Sequence, residues 1–140
     1  MSNLDTIKAI EDNLSAIILA QGFMLEDSSE DQKRRTKPLC ALRHTGEEFG
    51  DEYGQKPDYN DIRYTLRISF SDSAPGTTRD KTAEYAHKIR NNVTVNALNV
   101  GGLVSSKLIF HVAHEGYSIT GEGPPETEME YRLRIRYRET

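Results

Sequence analysis

Residues 127–139 read TEMEYRLRIRYRE. Met129, Tyr131, Leu133, Ile135 and Tyr137 alternate with Glu128, Glu130, Arg132, Arg134, Arg136 and Arg138. A β-strand turns successive side chains to opposite faces, so this run has one apolar face and one charged face. At helical spacing the same apolar residues would scatter around the cylinder. Residues 62–71 repeat the pattern: Ile62, Tyr64, Leu66, Ile68 and Phe70 alternate with Arg63, Thr65, Arg67, Ser69 and Ser71. Two long, similar strands predict a sheet with one wet face and one face covered by helices. Burying each large apolar side chain stabilises by roughly 1.5–3 kcal/mol, which fixes the facing of the last strand. Its arginines must therefore meet water or a partner.

The helices flank these strands. Leu4, Ile7, Ile10, Leu14, Ile17 and Ile18 follow the i, i+3, i+4, i+7 rule and predict a helix over 3–21. Ser2 or Asn3 can cap its start, and Gly22 followed by Phe23 suits its C-terminal end. Pro38 precedes a short predicted strand, Leu39 to His44. After Pro75-Gly76 comes a second helix from about Arg79 to Asn91, with Ala83, Ala86 and Ile89 on its stripe. Residues 93–100 fit either a continuing helix or an extended piece. Lys107 to His114 predicts a strand with apolar residues on both faces, which suits a central or partly covered position. Glu115-Gly116 reads as a turn into another short strand, Tyr117 to Gly121.

The expected order is α-β-β-α-β-β-β in a single domain, 1–140. This is an α+β two-layer sandwich: a mostly antiparallel sheet of four to five strands with two helices on one face. Two exposed loops are expected, 26–37 and 45–61. The first places four acids before four bases. The second carries three glycines, a proline and six acids around Phe49, Tyr53 and Tyr59. It reads as a long hairpin loop or arm that docks on a neighbouring subunit or folds back on its own domain.

Charge is unevenly spread along the 140 residues. Residues 1–61 hold 7 Lys/Arg and 13 Asp/Glu, and residues 62–140 hold 11 and 9, within an overall net of −4. An acidic part and a mildly basic part suit a chain that meets copies of itself or a complementary neighbour. A general nucleic-acid binder normally carries a clear basic excess. Charged residues are 29% and hydrophobic ones 36%, the balance of a soluble globular domain. No apolar run approaches the roughly 20 residues of a membrane span. The start, interrupted by Asp5, Glu11 and Asp12, does not read as a signal peptide. One cysteine, Cys40, excludes an internal disulfide and suggests a reducing compartment.

No catalytic, cofactor or metal motif emerges. Of the four histidines, His111 and His114 are three apart on a strand and point to opposite faces, and His87 has no partner one helical turn away. Cys40 lies beside Leu39 and Leu42, where cysteine acts as a small hydrophobe. The glycine pairs match no phosphate loop. The strongest feature is the arginine face: Arg132, Arg134, Arg136 and Arg138, with Arg63 and Arg67 on the companion strand. Three readings stand open. The face is solvated and paired with Glu128 and Glu130, or meets acidic surface of another copy, or contacts nucleic-acid phosphates. A sheet that reads bases exposes aromatics on that face, whereas Tyr131 and Tyr137 fall on the other.

Three stretches, FGDEYGQKPDYNDIRYTLRIS (49–69), HKIRNNVTVNALNVGGLVSSKL (87–108) and YRLRIRYRE (131–139), give the chain a texture that resembles the tail-terminator (tail-completion) proteins of long-tailed bacteriophages. The resemblance covers most of the chain and is one of topology. It implies a non-enzymatic structural protein that forms a cyclic homo-oligomer, commonly a hexamer, at the head-proximal end of a phage tail. Tail-tube and head-connector proteins would be its partners, and DNA would pass through the ring. The implied location is the virion neck, after assembly in the bacterial cytoplasm. The interface expected from this reading comprises Arg63, Arg67, Arg132, Arg134, Arg136, Arg138, Phe49, Tyr53 and Tyr59.

Overall fold

The computed structural model describes residues 3–25, 38–50, 59–71, 78–99, 108–121 and 126–138. The expected loop 26–37, the tip of the second loop with Tyr53, the Pro75-Gly76 turn and Gly101-Gly102 lie outside them. The fold is α+β. Helix α1 (Asn3–Ala20) leads through β1 (Met24–Leu25) to β2 (Leu39–Phe49) and β3 (Tyr59–Ser71). Helices α2 (Thr78–Asn92) and α3 (Val95–Leu98) follow, then β4 (Ile109–Gly121) and β5 (Glu126–Arg138). The strands form one five-stranded sheet in the order β1-β2-β3-β5-β4.

The two strands that organise the sequence lie side by side at its centre. β3 and β5 pair antiparallel over their full lengths, from Tyr59 opposite Arg138 to Ser71 opposite Glu126. All five apolar residues of each alternating run are buried. They join Ile10, Leu14 and Ile18 of α1 and Ala86 and Ile89 of α2 in a single core. Gly22 ends α1 with φ at 92°. There the Gly22 N–H donates to Leu19 O at 3.1 Å and the Phe23 N–H to Ile18 O at 3.4 Å, while Phe23 is buried against the core. A left-handed residue at this point satisfies two helix-end carbonyls, and glycine adopts it without steric cost.

Several expectations change. The sheet is mixed, because β1 pairs parallel with β2. The order gains β1 and α3, and the ambiguous 93–100 stretch contains α3, capped by the Thr94 hydroxyl accepting from the Ala97 N–H at 3.2 Å. The β2 strand runs on to Phe49 and β3 starts at Tyr59, so the ends of the 45–61 loop are strand. The reason is pairing: Gly46 to Phe49 lie opposite Arg63 to Asn60, which overrides the poor strand propensity of TGEEF. The two short strands expected at 107–114 and 117–121 are one. Gly116, at φ 104°, absorbs a register shift inside it instead of turning the chain. β4 lies at the edge of the sheet, not its centre. A second shift, between Ile109 and His111, moves Phe110 away from the buried side and leaves it 42% exposed.

Candidate interaction face

The face of the sheet opposite the core carries the charges. β5 contributes Glu126, Glu128 and Glu130 towards one end and Arg132, Arg134, Arg136 and Arg138 towards the other. β3 sets Asp61, Arg63 and Arg67 beside them in register. Asp61 faces Arg136, and the guanidinium donates twice, Nε to Oδ1 at 2.8 Å and Nη2 to Oδ2 at 3.1 Å. Such a two-pronged pair is the strongest common ionic hydrogen bond. That bond holds the Asp61 carboxyl below its ordinary range; burial opposes the shift, and the Arg136, Arg134 and Arg63 charges add to it. Arg136 also lies over the Tyr59 ring, 4.3 Å from its centroid.

Arg63 is clamped by two strands. Its Nη2 lies 3.0 Å from Glu48 Oε1 of β2, and its Nη1 lies 3.2 Å from Glu115 Oε1 of β4. Arg67 pairs diagonally with Glu128. Arg132 donates to the Ser118 hydroxyl at 3.2 Å. Arg134 differs. It stands directly opposite Arg63 and between Arg132 and Arg136. Among the described residues it has no carboxylate within ion-pair distance, and its Nε is buried without a hydrogen-bond partner. Arg138 likewise has no carboxylate partner among them.

The predicted interface residues therefore divide. Arg63, Arg67 and Arg136 are tied into ion pairs within the chain, while Arg134 and Arg138 have no carboxylate partner among the described residues. Tyr59 is on the same face, 37% exposed, and its ring meets that of Phe110 edge-on at 5.7 Å between centroids. The expectation that this face lacks exposed aromatics is corrected by that pair. Phe49, 69% exposed, ends β2 on the other side of the sheet, opposite buried Asn60. Asp61, Glu48, Glu115 and Phe110 escaped the sequence reading. Their roles depend on register and on the β4 shift, neither of which alternation within one strand encodes.

Polar groups also enter the buried side. Tyr64 donates to Glu11 Oε1 at 3.1 Å, and Tyr137 donates to Glu47. Burial, with Glu11 close by, pushes the Tyr64 hydroxyl well above its ordinary range. The His114 Nε2 lies 3.0 Å from the Val93 carbonyl and Nδ1 lies 2.6 Å from the Tyr131 hydroxyl. A carbonyl only accepts, so Nε2 carries the proton and Tyr131 donates to Nδ1. Among the described residues no three of His, Cys, Asp and Glu converge on a metal position. Cys40 is fully buried beneath the sheet. No described helix is long and apolar enough to cross a membrane.

No family model matches the chain. No curated protein matches it either. A solved structure superposes on 100% of this chain and 98% of its own, with a TM-score of 0.52 at 9% identity. At that identity the likeness is one of fold: the chain is similar in architecture, over its whole length, to a protein of the same size.

Proposed function

We propose that the chain is a non-enzymatic structural protein of the phage tail-terminator kind, which closes into a ring at the head-proximal end of a tail and joins tail to head. On this reading the architecture is a two-layer sandwich whose helices cover one face and whose other face meets neighbouring protein. The observation that carries the proposal is Arg134. Its charge sits among three other arginines, its Nε is partly desolvated, and no described carboxylate compensates it. The Arg134 side chain is half-buried with its Nε shut off from water, and a neighbour's carboxylate would balance its charge. A cyclic ring needs two unlike patches on each subunit, which the acidic and arginine-bearing parts of the sequence supply. In this reading the ring, commonly a hexamer, contacts tail-tube and connector proteins in the virion neck, with DNA passing through its lumen.

Sedimentation velocity and negative-stain microscopy test it. The wild-type chain is expected to form closed rings at high concentration or when mixed with tail tubes. R132E/R134E is expected to keep the fold and lose the rings. Monomers alone up to millimolar concentration, with and without tubes, overturn the reading.

A second reading draws on Tyr59 and Phe110, exposed beside Arg136 and Arg138: a small nucleic-acid-binding domain that stacks bases on these rings. It predicts binding of oligothymidylate at low salt with a steep salt dependence, lost in Y59A/F110A. Absence of binding at low salt removes it.

A further inference from the structure

The two edges of the sheet are not alike. β4 carries three register shifts, at Ile109/His111, His114/Gly116 and Ile119/Gly121. Irregularities of this kind blunt an edge against further pairing. At the other edge β1 covers only Leu39 and Cys40. From Ala41 to Phe49, β2 has no strand beside it among the described residues. The Met24 N–H donates to Pro38 O at 2.8 Å, so Pro38 aims its carbonyl at that edge. By alternation Cys40, Leu42 and His44 aim their backbone groups the same way. The shift between His44 and Gly46 inserts one residue, after which Glu47 and Phe49 take over that orientation.

We propose that this edge of β2, beside which no described strand lies, pairs antiparallel with β2 of a second copy, about a two-fold axis through the inserted residue. In this register Leu42 opposes Phe49 of the second copy, Arg43 opposes Glu48, and His44 opposes Glu47. The register on β3 shows that each pair shares a face. Leu42, His44, Glu47 and Phe49 lie opposite Leu66, Tyr64, Ile62 and Asn60 on the core side, and Arg43 and Glu48 lie opposite Thr65 and Asp61 on the arginine side. All three pairings are chemically complementary: Arg43 with Glu48 by charge, His44 with Glu47 as side chains that can hydrogen-bond, and Leu42 with Phe49 by apolar contact. In an uninterrupted strand, two-fold symmetry would forbid this register, because residues of opposite orientation would meet. The inserted residue in each copy permits it.

The surface shape agrees. Phe49 is the most exposed of the described large hydrophobic side chains at 69%. Beside Leu42 a groove of about 560 Å³ opens between α1 and the strand edge, lined by Glu11, Asp12, Ser15, Leu25 and Leu42 among others. The paired register places Phe49 of the second copy at the mouth of that groove. This contact is isologous and separate from the heterologous contacts of a ring, so the two stand or fall independently.

Paired cysteines in the full-length chain test it. Directly opposed positions across an antiparallel pair have Cα atoms about 4.5–5.5 Å apart, within disulfide reach. Positions 42 and 49 of one chain are about 23 Å apart along the strand, too far to bridge internally. With oxidised glutathione as the electron acceptor, L42C/F49C is expected to give a covalent dimer on a non-reducing gel. L42C alone and F49C alone are expected not to. R132E/R134E added to L42C/F49C should leave the linkage intact, which separates it from ring assembly. A folded L42C/F49C that stays monomeric, or equal linkage by either single variant, overturns the proposal. Should L42C disturb folding, F49D at the exposed position serves instead: at least a ten-fold weaker dimer in sedimentation is expected, and an unchanged dimer constant overturns it.

Discussion

Asp61 and Arg136 show how a residue pair can hold two strands while remaining next to solvent. The Asp61 side chain is 11% exposed and that of Arg136 30%. The pair is thus partly screened, and Asp61→Asn should cost about 1–2 kcal/mol in urea unfolding at neutral pH. Asp61 is held below its ordinary 3.8, chiefly by the Arg136 hydrogen bond, so its stabilisation is fully present above that value. It is lost as pH falls through the lowered folded value, and the difference between wild type and D61N should shrink below about pH 4. His114 has the opposite chemistry and the same sense of loss. Burial lowers its pKa below 6.5, so the fold prefers the neutral ring that accepts from Tyr131. Stability should therefore fall as pH drops from about 7 towards the lowered value, and His114→Gln should flatten that slope in pH-dependent unfolding.

At the scale of an element, β5 and β4 contrast. On β5 each side chain's role follows from its parity. Leu133 is fully buried, so Leu133→Ala should cost roughly 2–5 kcal/mol, whereas Arg132→Ala on the exposed face should cost about 0.5 kcal/mol or less. A chemical denaturation series reads both. On β4 continuity depends on one backbone angle. Gly116 has φ at 104° with nothing near a added Cβ, so Gly116→Ala is strained by conformation and not by contact. It should destabilise by roughly 1–3 kcal/mol in the same assay. Tyr117 and Ile119, already 39% and 38% exposed, should then lose amide protection first in hydrogen exchange.

At the scale of the molecule, charge and shape are separated by face and by edge. The helices and the apolar side of the sheet make the core. The opposite side carries arginines that exceed their described carboxylate partners around Arg134. One edge carries three register shifts, and the other carries one, with no described strand beside it beyond Cys40. Assembly through the arginine face should weaken as salt rises from about 0.05 to 0.5 M, since exposed charges are screened over roughly a Debye length. Pairing through β2 rests on backbone hydrogen bonds and Phe49 beside its two symmetry-related Arg43–Glu48 pairs, and should change less over the same range. Sedimentation across that series separates the two contacts.

The sequence by itself determined the α+β class, the facing of β3 and β5, the end of α1 at Gly22 and the burial of Cys40. These depend on alternation, helical periodicity and a glycine signal, all carried within one element. The tertiary structure decided what no single element contains: the central pairing of β3 with β5, the edge position of β4 and the extension of β2 to Phe49. It also decided which arginines find carboxylates. Asp61 reaches Arg136, and Glu48 and Glu115 reach Arg63, because long-range register brings residues far apart in sequence to the same row of the sheet. Arg134 falls in a row with Arg63 and Ala113 and meets no carboxylate there. The physical reason is that side-chain facing is set locally by the strand's two-residue period, whereas register and edges are set by which strands meet.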